Sequence, residues 1–406
     1  MKPARVLSMR IFRVCGNSFK RVFAFSLRNA GAGRGPGSGA PLQNDPLLLH
    51  AIEGREYLRL RLRDATTLVG SPATVALLTA VCWMVANLGV EASEHRKSAN
   101  ELAFEPVGFL VRTNYHGWAD SILLSNGRVE AVIVPAIGRV MQFRFAGEED
   151  GPFWENRALD GIKPEPESKE WGNFGGDKTW PAPQTDWPKL TPRAWPPPVA
   201  FDSMPVRASV DGFNVNLISA VDPHYGIRAY REIKLDLDRP VMTITTTYEK
   251  VSGQPFRVAV WVITQLKDPV IACASLPEFE RLRGGYYRQS DELPANLKIE
   301  DELVSLTRDP KASHKIGTDA GALFWVGKDA VLRIDSPRQL SLQYPDDGCS
   351  AEIYTNPDPL AYVELEMLGP LTKMIVGDKI TRTSSYTLLR RTEVVPDLEV
   401  RKLLSR

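Results

Sequence analysis

The stretch SILLSNGRVEAVIVP, residues 121–135, decides the fold class of this chain. Two largely apolar runs, Ser121–Ser125 and Arg128–Pro135, flank the dipeptide Asn126-Gly127. Asn-Gly adopts the left-handed backbone of a tight hairpin turn, whose twist matches that of the strands on either side. The stretch therefore predicts a β-hairpin.

Similar strand-like runs continue to the C-terminus, and turn residues separate them. Asp211-Gly212 joins PVRASV to FNVNLISAV in the same way. Many of the later runs are rich in Val, Ile, Thr, Tyr and Trp, which favour strands; they are Ile227–Leu237, Val241–Glu249, Phe256–Gln265, Ala322–Val326, Val331–Ile334, Leu340–Tyr344, Ala351–Tyr354, Ala361–Leu368 and Thr381–Leu389.

This pattern predicts an all-β, antiparallel sandwich of two large stacked sheets over residues 100–395, because so many strands exceed what one sheet holds. The sequence after residue 100 contains no long amphipathic helix, which excludes βαβ architectures. It also lacks the 40–50-residue period of a propeller.

One long stretch, Gly161–Pro198, interrupts the series of strands. It holds 9 of the 31 prolines, and five tryptophans lie in or beside it: Trp154, Trp171, Trp180, Trp187 and Trp195. Irregular loops of this length are usually functional or disordered, and disordered segments are poor in aromatic residues. We therefore expect an ordered loop that packs over one sheet face.

The N-terminal 64 residues form a basic extension, with 12 Lys or Arg residues and 4 Asp or Glu residues. Residues 29–41 (NAGAGRGPGSGAP) have the composition of a linker, and nothing before Asp64 has the periodicity of a domain. This extension is expected to be disordered, or to precede the true start codon.

An apolar segment follows at residues 65–92, and it has no charged residue from Ala65 to Val90. Its length suffices for a membrane-spanning helix, and the arginines ahead of it orient the N-terminus towards the cytoplasm. Small residues around Ala92 also fit a signal-peptide cleavage site. Export is expected in either case, so the protein would be periplasmic, secreted or membrane-anchored facing the periplasm, with membrane contact only through residues 65–92.

The net charge and the cysteine content of the chain limit which partners and metals we expect it to bind. The chain carries a net charge of +1, so the part after residue 64 has an acidic excess of seven charges. Nucleic acid is excluded as a partner because its recognition requires a basic stripe. Neither a CxxC pair nor a His-rich spacing indicates a metal site. Cys273 and Cys349 lie in the folded part, and their pairing in a disulfide stays open.

Four segments together resemble a secreted bacterial branch of the galactose mutarotase-like superfamily. They are YHGWADSILLSNGRVEAVIVPAIGRVMQFRF (115–145), GNFGGDKTWPAPQ (172–184), VAVWVITQLKDP (258–269) and YVELEMLGP (362–370). The resemblance spans residues 108–392. It implies an antiparallel β-supersandwich with a sugar-binding cleft on a concave sheet face. In such a cleft, relatives interconvert aldose anomers without a cofactor, using a His acid and a Glu base.

The chain departs from that pattern at two positions. Relatives commonly have a His where this sequence has Asp177, and mutarotases place a catalytic His on the strand that here presents Trp261 and Gln265. The known catalytic pair therefore does not transfer intact.

The run Tyr362-Val-Glu-Leu-Glu-Met supplies the candidate base. On a strand, alternation places Tyr362, Glu364 and Glu366 on one face and the apolar residues on the other. Two carboxylates in a concave cleft can hold different pKa values, so that one acts as acid and the other as base. The resemblance matches this segment to the position of the mutarotase base. The sequence does not distinguish Glu364 from Glu366, and a solvated strand face is the alternative.

For the acid, His224 in a strand junction is the first candidate, since a neutral-range pKa suits a proton donor. His116 is the second candidate and is otherwise a substrate contact. A sugar presents apolar faces and hydroxyl edges, which indole planes and polar side chains complement. The further candidate substrate-binding residues are Arg139, Asn156, Asp177, Lys178, Trp180, Gln184, Trp187, Trp261 and Gln265. For the tryptophans, the alternative is a hydrophobic lid over the sheet.

Two functions from different classes follow. The first is an exported mutarotase-type isomerase that acts on a saccharide by Glu/His acid-base chemistry. The second is a non-catalytic carbohydrate-binding or scaffolding domain. An accessory role beside a polysaccharide lyase or hydrolase is a third reading with less support.

Overall fold

The computed structural model describes residues 5–13, 21–29, 108–166, 168–202, 204–276 and 284–405. The chain divides into two units, residues 1–100 and residues 101–406. In the first unit, strands β1 (Arg5–Arg13) and β2 (Arg21–Asn29) pair antiparallel, in an extension where the sequence predicted no element. The predicted export segment, residues 65–92, lies outside the described residues. Among those described, no helix is long and apolar enough to cross a membrane.

The second unit consists mainly of strands. In chain order they are β3 (Phe109–Tyr115), β4 (Trp118–Ser125), β5 (Val129–Val134), β6 (Arg139–Phe145), β7 (Asp177–Ala182), β8 (Arg207–Asp211), β9 (Asn214–Val221), β10 (Ile227–Leu235), β11 (Val241–Lys250), β12 (Phe256–Lys267), β13 (Ile271–Ser275), β14 (Tyr287–Arg288), β15 (Lys298–Glu300), β16 (Leu303–Leu306), β17 (His314–Thr318), β18 (Ala322–Val326), β19 (Ala330–Asp335), β20 (Ala351–Thr355), β21 (Tyr362–Leu368), β22 (Thr372–Met374) and β23 (Lys379–Arg390). The α-helices are short: α1 (Trp187–Leu190), α2 (Val199–Asp202) and α3 (Pro396–Leu404).

These strands form two large antiparallel sheets. The ten-strand sheet has the order β15-β16-β13-β18-β19-β23-β11-β10-β9-β8, and the eleven-strand sheet has the order β14-β17-β20-β21-β12-β7-β6-β5-β4-β3, with β22 paired to β12. Apolar side chains from both sheets, such as Ile133 and Leu365 from one and Ile233 and Leu332 from the other, share one core. The predicted antiparallel sandwich is confirmed.

The two hairpins predicted from turn dipeptides are also present. Asn126 accepts hydrogen bonds from the backbone N–H groups of Arg128 and Val129 through its side-chain oxygen, at 2.9 and 2.8 Å. Gly127 has a φ of 80°, a left-handed conformation that glycine adopts without steric cost. β4 and β5 therefore meet at the turn that the sequence specifies.

One predicted strand is wrong. Residues 340–344 form no strand, because Leu340 is 75% exposed and Ser341 has a φ of 69°, which interrupts an extended backbone. Cys273 and Cys349 are both free and buried. Cys273 packs in a cluster with α3, and Cys349 lies beside Gln289 on the other sheet, so the open question of a disulfide is answered in the negative.

A polar network joins the two sheets inside the sandwich. The Asp177 carboxylate on β7 pairs with the Arg231 guanidinium on β10, and it also accepts hydrogen bonds of 2.7 Å from Thr264 and Tyr386. Asp177 and Arg231 are 0% and 4% exposed. Asp177 was predicted to bind substrate, but here its carboxylate is fully buried and is already bound by Arg231, Thr264 and Tyr386. Its partner on β12 is Thr264, so its side chain points inward, towards the ten-strand sheet.

We predict that Asp177→Asn lowers the free energy of unfolding by about 3–5 kcal/mol, because it leaves the Arg231 charge buried without a counter-charge. Urea unfolding followed by tryptophan fluorescence measures the change. Asp211→Asn, at an exposed hairpin end, serves as the matched control and should shift stability by less than about 0.5 kcal/mol. Equal effects of the two substitutions would contradict a structural role for the buried pair.

Candidate functional site

The outer face of the eleven-strand sheet carries the acidic residues of β21. Val363, Leu365 and Met367 point into the core, so Glu364 and Glu366 project from the opposite face, as the alternation predicted. Both glutamates are buried, at 8% and 1% exposure, because the loop between β6 and β7 and the neighbouring strands cover them. The alternative of a solvated strand face does not hold.

Glu366 belongs to a cluster with a second carboxyl and one ammonium group. Glu352 on β20 lies directly opposite Glu366, and Lys315 comes from the adjacent strand β17. The Lys315 Nζ atom lies 2.7 Å from the Glu352 carboxylate and 2.9 Å from the Glu366 carboxylate. The Trp261 indole N–H also donates to Glu366, at 2.7 Å. Two carboxyl groups therefore share one cation.

Burial and the excess of carboxyl groups over ammonium groups shift the pKa values of Glu366 and Lys315. Burial raises the pKa of Glu366 well above its usual range, Lys315 opposes that shift, and the facing Glu352 adds to it. Burial alone would lower the pKa of Lys315, but the two carboxylates more than offset it and raise that pKa. The Glu366 Oε1 atom has no hydrogen-bond donor among the described residues, and a proton shared with Glu352 would satisfy it.

Glu364 forms a separate pair with Lys178 of β7. The Lys178 ammonium lies 3.3 Å from the Glu364 carboxylate and 4.9 Å from the centre of the Trp180 ring. Lys178 is 1% exposed, and burial lowers its pKa while Glu364 partly restores it. Trp171, from the long loop, lies over the same ammonium at 5.7 Å. The loop thus covers this pair.

A third buried group fastens the long loop to the sheet. The Asp202 carboxylate at the end of α2 lies 2.6 Å from the Arg139 guanidinium and accepts the indole N–H groups of Trp171 and Trp180, each at 2.9 Å. Burial lowers the pKa of Arg139, and Asp202 opposes that change. Arg139 and Trp180 therefore hold the loop, and both lie within the packed part of the outer face.

A cavity of about 650 Å³ opens beside the Glu366 cluster. Its wall includes Trp261, Lys315 and Gln184, together with Asp346 and Asp347 from the turn before β20. Such a volume lies within the range of small-molecule sites. Among the predicted substrate-binding residues, Trp261 and Gln184 line this cavity. Glu366, a predicted catalytic residue, lies behind Lys315, which is part of the cavity wall.

Asp346 is the cavity residue best suited to acid-base chemistry. It is half-buried, and burial together with the neighbouring Glu352 raises its pKa to about 7, although Lys315 acts in the opposite direction. A carboxyl with that pKa exchanges its proton readily near neutral pH. The cavity wall therefore holds a titrating carboxyl and a charged ammonium.

Several predicted residues lie away from the cavity wall. Trp187 is fully buried and donates its indole N–H to the Pro181 carbonyl at 2.8 Å, so it packs beneath the loop as the lid alternative described. Gln265 is fully buried opposite Glu364. Neither side chain lines the cavity beside the Glu366 cluster, and their substrate-binding roles stay predictions.

The remaining three predicted residues form local contacts elsewhere. His116, exposed in the turn after β3, has its Nδ1 atom 2.7 Å from an Arg157 nitrogen. Asn156 caps a short 3₁₀ helix by accepting from Ala158 N–H. His224 is exposed in the β9–β10 turn of the ten-strand sheet. No described contact joins them to the Glu366 cluster or to the cavity, and their site roles stay predictions.

Sequence reasoning missed Lys315, Glu352 and Asp346. Glu352 had a usable signal, since Ala351–Thr355 shows the same alternation of polar and apolar residues as β21. Lys315 and Asp346 had none, because their importance comes from strand order and from a turn that returns to the sheet. Only the fold brings them beside Glu366.

We predict that Lys315→Met destabilises the protein by about 3 kcal/mol at pH 8 and by much less at pH 5, because it removes the cation between two buried carboxyls. The pKa of Glu366 is raised, so this carboxyl favours folding while protonated, and the deficit grows as the pH rises through that pKa. Urea unfolding at both pH values measures it. Lys328→Met, at an exposed turn, is the control. A loss of stability in Lys315→Met that does not depend on pH would contradict the sharing of one cation by two carboxyl groups.

Comparisons with known proteins concern the architecture. No protein-family model matches the chain, and no curated protein matches it. A candidate aldose 1-epimerase of Escherichia coli K12 is similar in structure, with 12% identity over 66% of this chain and 98% of its own, at a TM-score of 0.46. A galactose mutarotase-like protein of Clostridium acetobutylicum has 8% identity over 70% and 99%, at a TM-score of 0.46, and one of Lactobacillus casei has 9% over 66% and 100%, at 0.44. The similar structures thus include the galactose mutarotase-like group that the sequence motifs resemble.

Proposed function

We propose that this chain is a mutarotase-type isomerase, which binds a saccharide in the cavity beside Trp261 and interconverts its anomers without a cofactor. The observation that carries the proposal is one cavity wall with both an acid-base carboxyl, Asp346, and an ammonium group, Lys315. We also propose that the reaction takes place outside the cytoplasm, a proposal that the apolar sequence of residues 65–92 supports.

Anomer interconversion needs one proton removed and one supplied. The Asp346 carboxylate takes the proton of the anomeric hydroxyl, and the electrons of that O–H bond form the carbonyl as the bond from the anomeric carbon to the ring oxygen breaks. The ring oxygen takes a proton from the Lys315 ammonium. In the same step the proton shared by Glu352 and Glu366 moves onto Lys315, so that Lys315 stays charged and the carboxyl pair is the source of the proton. Rotation about the bond beside the carbonyl and reversal of both transfers close the ring as the other anomer, so no proton or electron is gained or lost overall.

The carboxyl pair behind Lys315 supports this proton transfer. Glu366 and Glu352 both contact the Lys315 ammonium, so a proton shared between them can move onto Lys315 as it donates and can move back to the pair when the ring closes. Glu366 therefore acts through Lys315. Glu364 is paired with Lys178 under the loop, whereas Lys315 lines the cavity, which supports Glu366 over Glu364 in this proposal.

The cavity also has the mixture of groups that a saccharide requires. Trp261 supplies an aromatic surface, while Gln184 and Gln289 supply both donors and acceptors for hydroxyl groups. Their arrangement around the two charged side chains orients the ring for the proton transfers.

The second candidate function is a carbohydrate-binding domain without catalysis. It is favoured by the buried ion pairs, in which Glu364 and Glu366 already have lysine partners within 3.3 Å. A glutamate that serves to hold a lysine in place needs no chemical role of its own. Exchange measurements separate the two functions, since a binding domain gives saturation transfer to the sugar without anomer exchange.

We predict that the protein accelerates anomer exchange of an aldose, and that the rate rises with pH through about 7 and then levels off, because Asp346 must be ionised. NMR exchange spectroscopy across a panel of aldoses measures the rate. Asp346→Asn should lower it by about 10²–10⁴-fold, the usual contribution of a general base, and remove the rise with pH.

Glu366→Gln should lower the rate by about tenfold or more, since an amide cannot share the proton, while sugar binding by saturation transfer persists. Asp211→Asn, at the exposed end of the β8–β9 hairpin, is the control and should leave the exchange rate within about twofold. An unchanged rate in Asp346→Asn would overturn the catalytic assignment, and binding without exchange in the unaltered protein would establish the second function.

A further inference from the structure

The charges around the cavity are unequal. Carboxylates of Asp291, Asp346 and Asp347 line it, against the cations Arg288 and Lys315. Behind the wall, Glu352 and Glu366 add two more carboxyl groups. Acidic side chains therefore outnumber basic ones by five to two within and directly behind the cavity.

Both cations already contact oxygen atoms of the protein, and the carboxylates that line the cavity outnumber them. The Lys315 ammonium lies within 2.9 Å of both Glu352 and Glu366, so their charges already neutralise it. Arg288 is exposed, and its guanidinium donates to the Asp291 carbonyl at 2.9 Å. A phosphate or carboxylate on a ligand would meet a net negative wall.

A second observation indicates that the negative side of this wall accepts a donor. Gln289 lines the cavity, and its buried Oε1 atom has no hydrogen-bond donor among the described residues. The half-buried Asp346 lines the same cavity and adds a carboxyl group to its acceptors. A ligand with an ammonium group supplies both the charge and the donors that such a wall lacks.

We infer that the cavity selects amino sugars over neutral sugars and excludes sugar phosphates and uronic acids. This inference rests on the proposed saccharide site and adds its substrate class. The physical reason is Coulombic: one extra unit of charge near the protein surface interacts by about 1 kcal/mol or more with a carboxylate a few ångströms away. That energy corresponds to about fivefold in affinity for each close carboxylate.

The test compares neutral, cationic and anionic derivatives of the same sugar. Titration calorimetry at pH 7.5 and low salt measures the binding of D-glucose, D-glucosamine, N-acetyl-D-glucosamine and D-glucose 6-phosphate, with the corresponding galactose series in parallel. N-acetylglucosamine controls for the size of the amino substituent, because it has no charge. We expect the amino sugar to bind with at least about fivefold higher affinity than the neutral sugar, and the sugar phosphate to bind with the lowest affinity.

Asp347→Asn gives the discriminating variant, because Asp347 is exposed and lies outside the proton-transfer groups. It should weaken glucosamine binding by about threefold to fivefold, a larger loss than any change in glucose binding, because asparagine keeps the size of the side chain and removes only its charge. Asp211→Asn on the distant β8–β9 hairpin should affect neither ligand. Added salt should reduce the preference for the amino sugar because it screens exposed charges.

Equal affinities for glucose and glucosamine, or tighter binding of glucose 6-phosphate, would overturn the charge selection and leave the saccharide site standing. Loss of the preference in Asp211→Asn to the same degree as in Asp347→Asn would also overturn it. If none of the sugars binds, the proposed function itself fails, and the inference fails with it.

Discussion

The site depends on one constraint: β21 must place its apolar residues in the sandwich core, which forces Glu364 and Glu366 onto the opposite face. That face is covered, so both carboxylates lose water and need compensating cations. Lys178 and Lys315 provide them from strands on either side of β21. The electrostatics of the outer face follow from the packing of the inner one.

The two lysines produce different environments. Lys178 serves one carboxylate and is enclosed by Trp171 and Trp180. Lys315 serves two carboxyl groups and borders the cavity, so its surroundings retain an acidic excess. An enclosed, balanced pair is suited to structure, whereas an unbalanced cluster beside a cavity is suited to proton transfer and to charge selection.

The sequence was sufficient for the elements whose signals are local. The Asn126-Gly127 turn and the alternation in β21 follow from backbone and side-chain geometry within a few residues, and both are present. Asp177 shows the limit of a local sequence motif, which does not predict which face of the sheet a side chain occupies. The run around it is extended, but only the register with Thr264 determines that its side chain faces the core and meets Arg231.

The cavity residues show the same limit more strongly. Lys315 and Asp346 are 31 residues apart in sequence, and β20 and β21 bring both of them close to Glu352 and Glu366. Asp346 acquires its raised pKa from burial and from Glu352, neither of which is visible in the turn sequence Asp-Asp-Gly. His224, the predicted acid, shows the opposite case. Its side chain is of a type suited to proton transfer, but it lies in a turn of the ten-strand sheet with no described contact to the cavity.

The most direct measurement is a crystal structure of the protein soaked with an aldose at saturating concentration. The account predicts sugar density in the cavity between Trp261 and Gln184, with the anomeric hydroxyl within hydrogen-bond distance of Asp346 and the ring oxygen facing Lys315. Sugar bound on another surface, or a cavity that stays free of sugar under those conditions, would contradict the account.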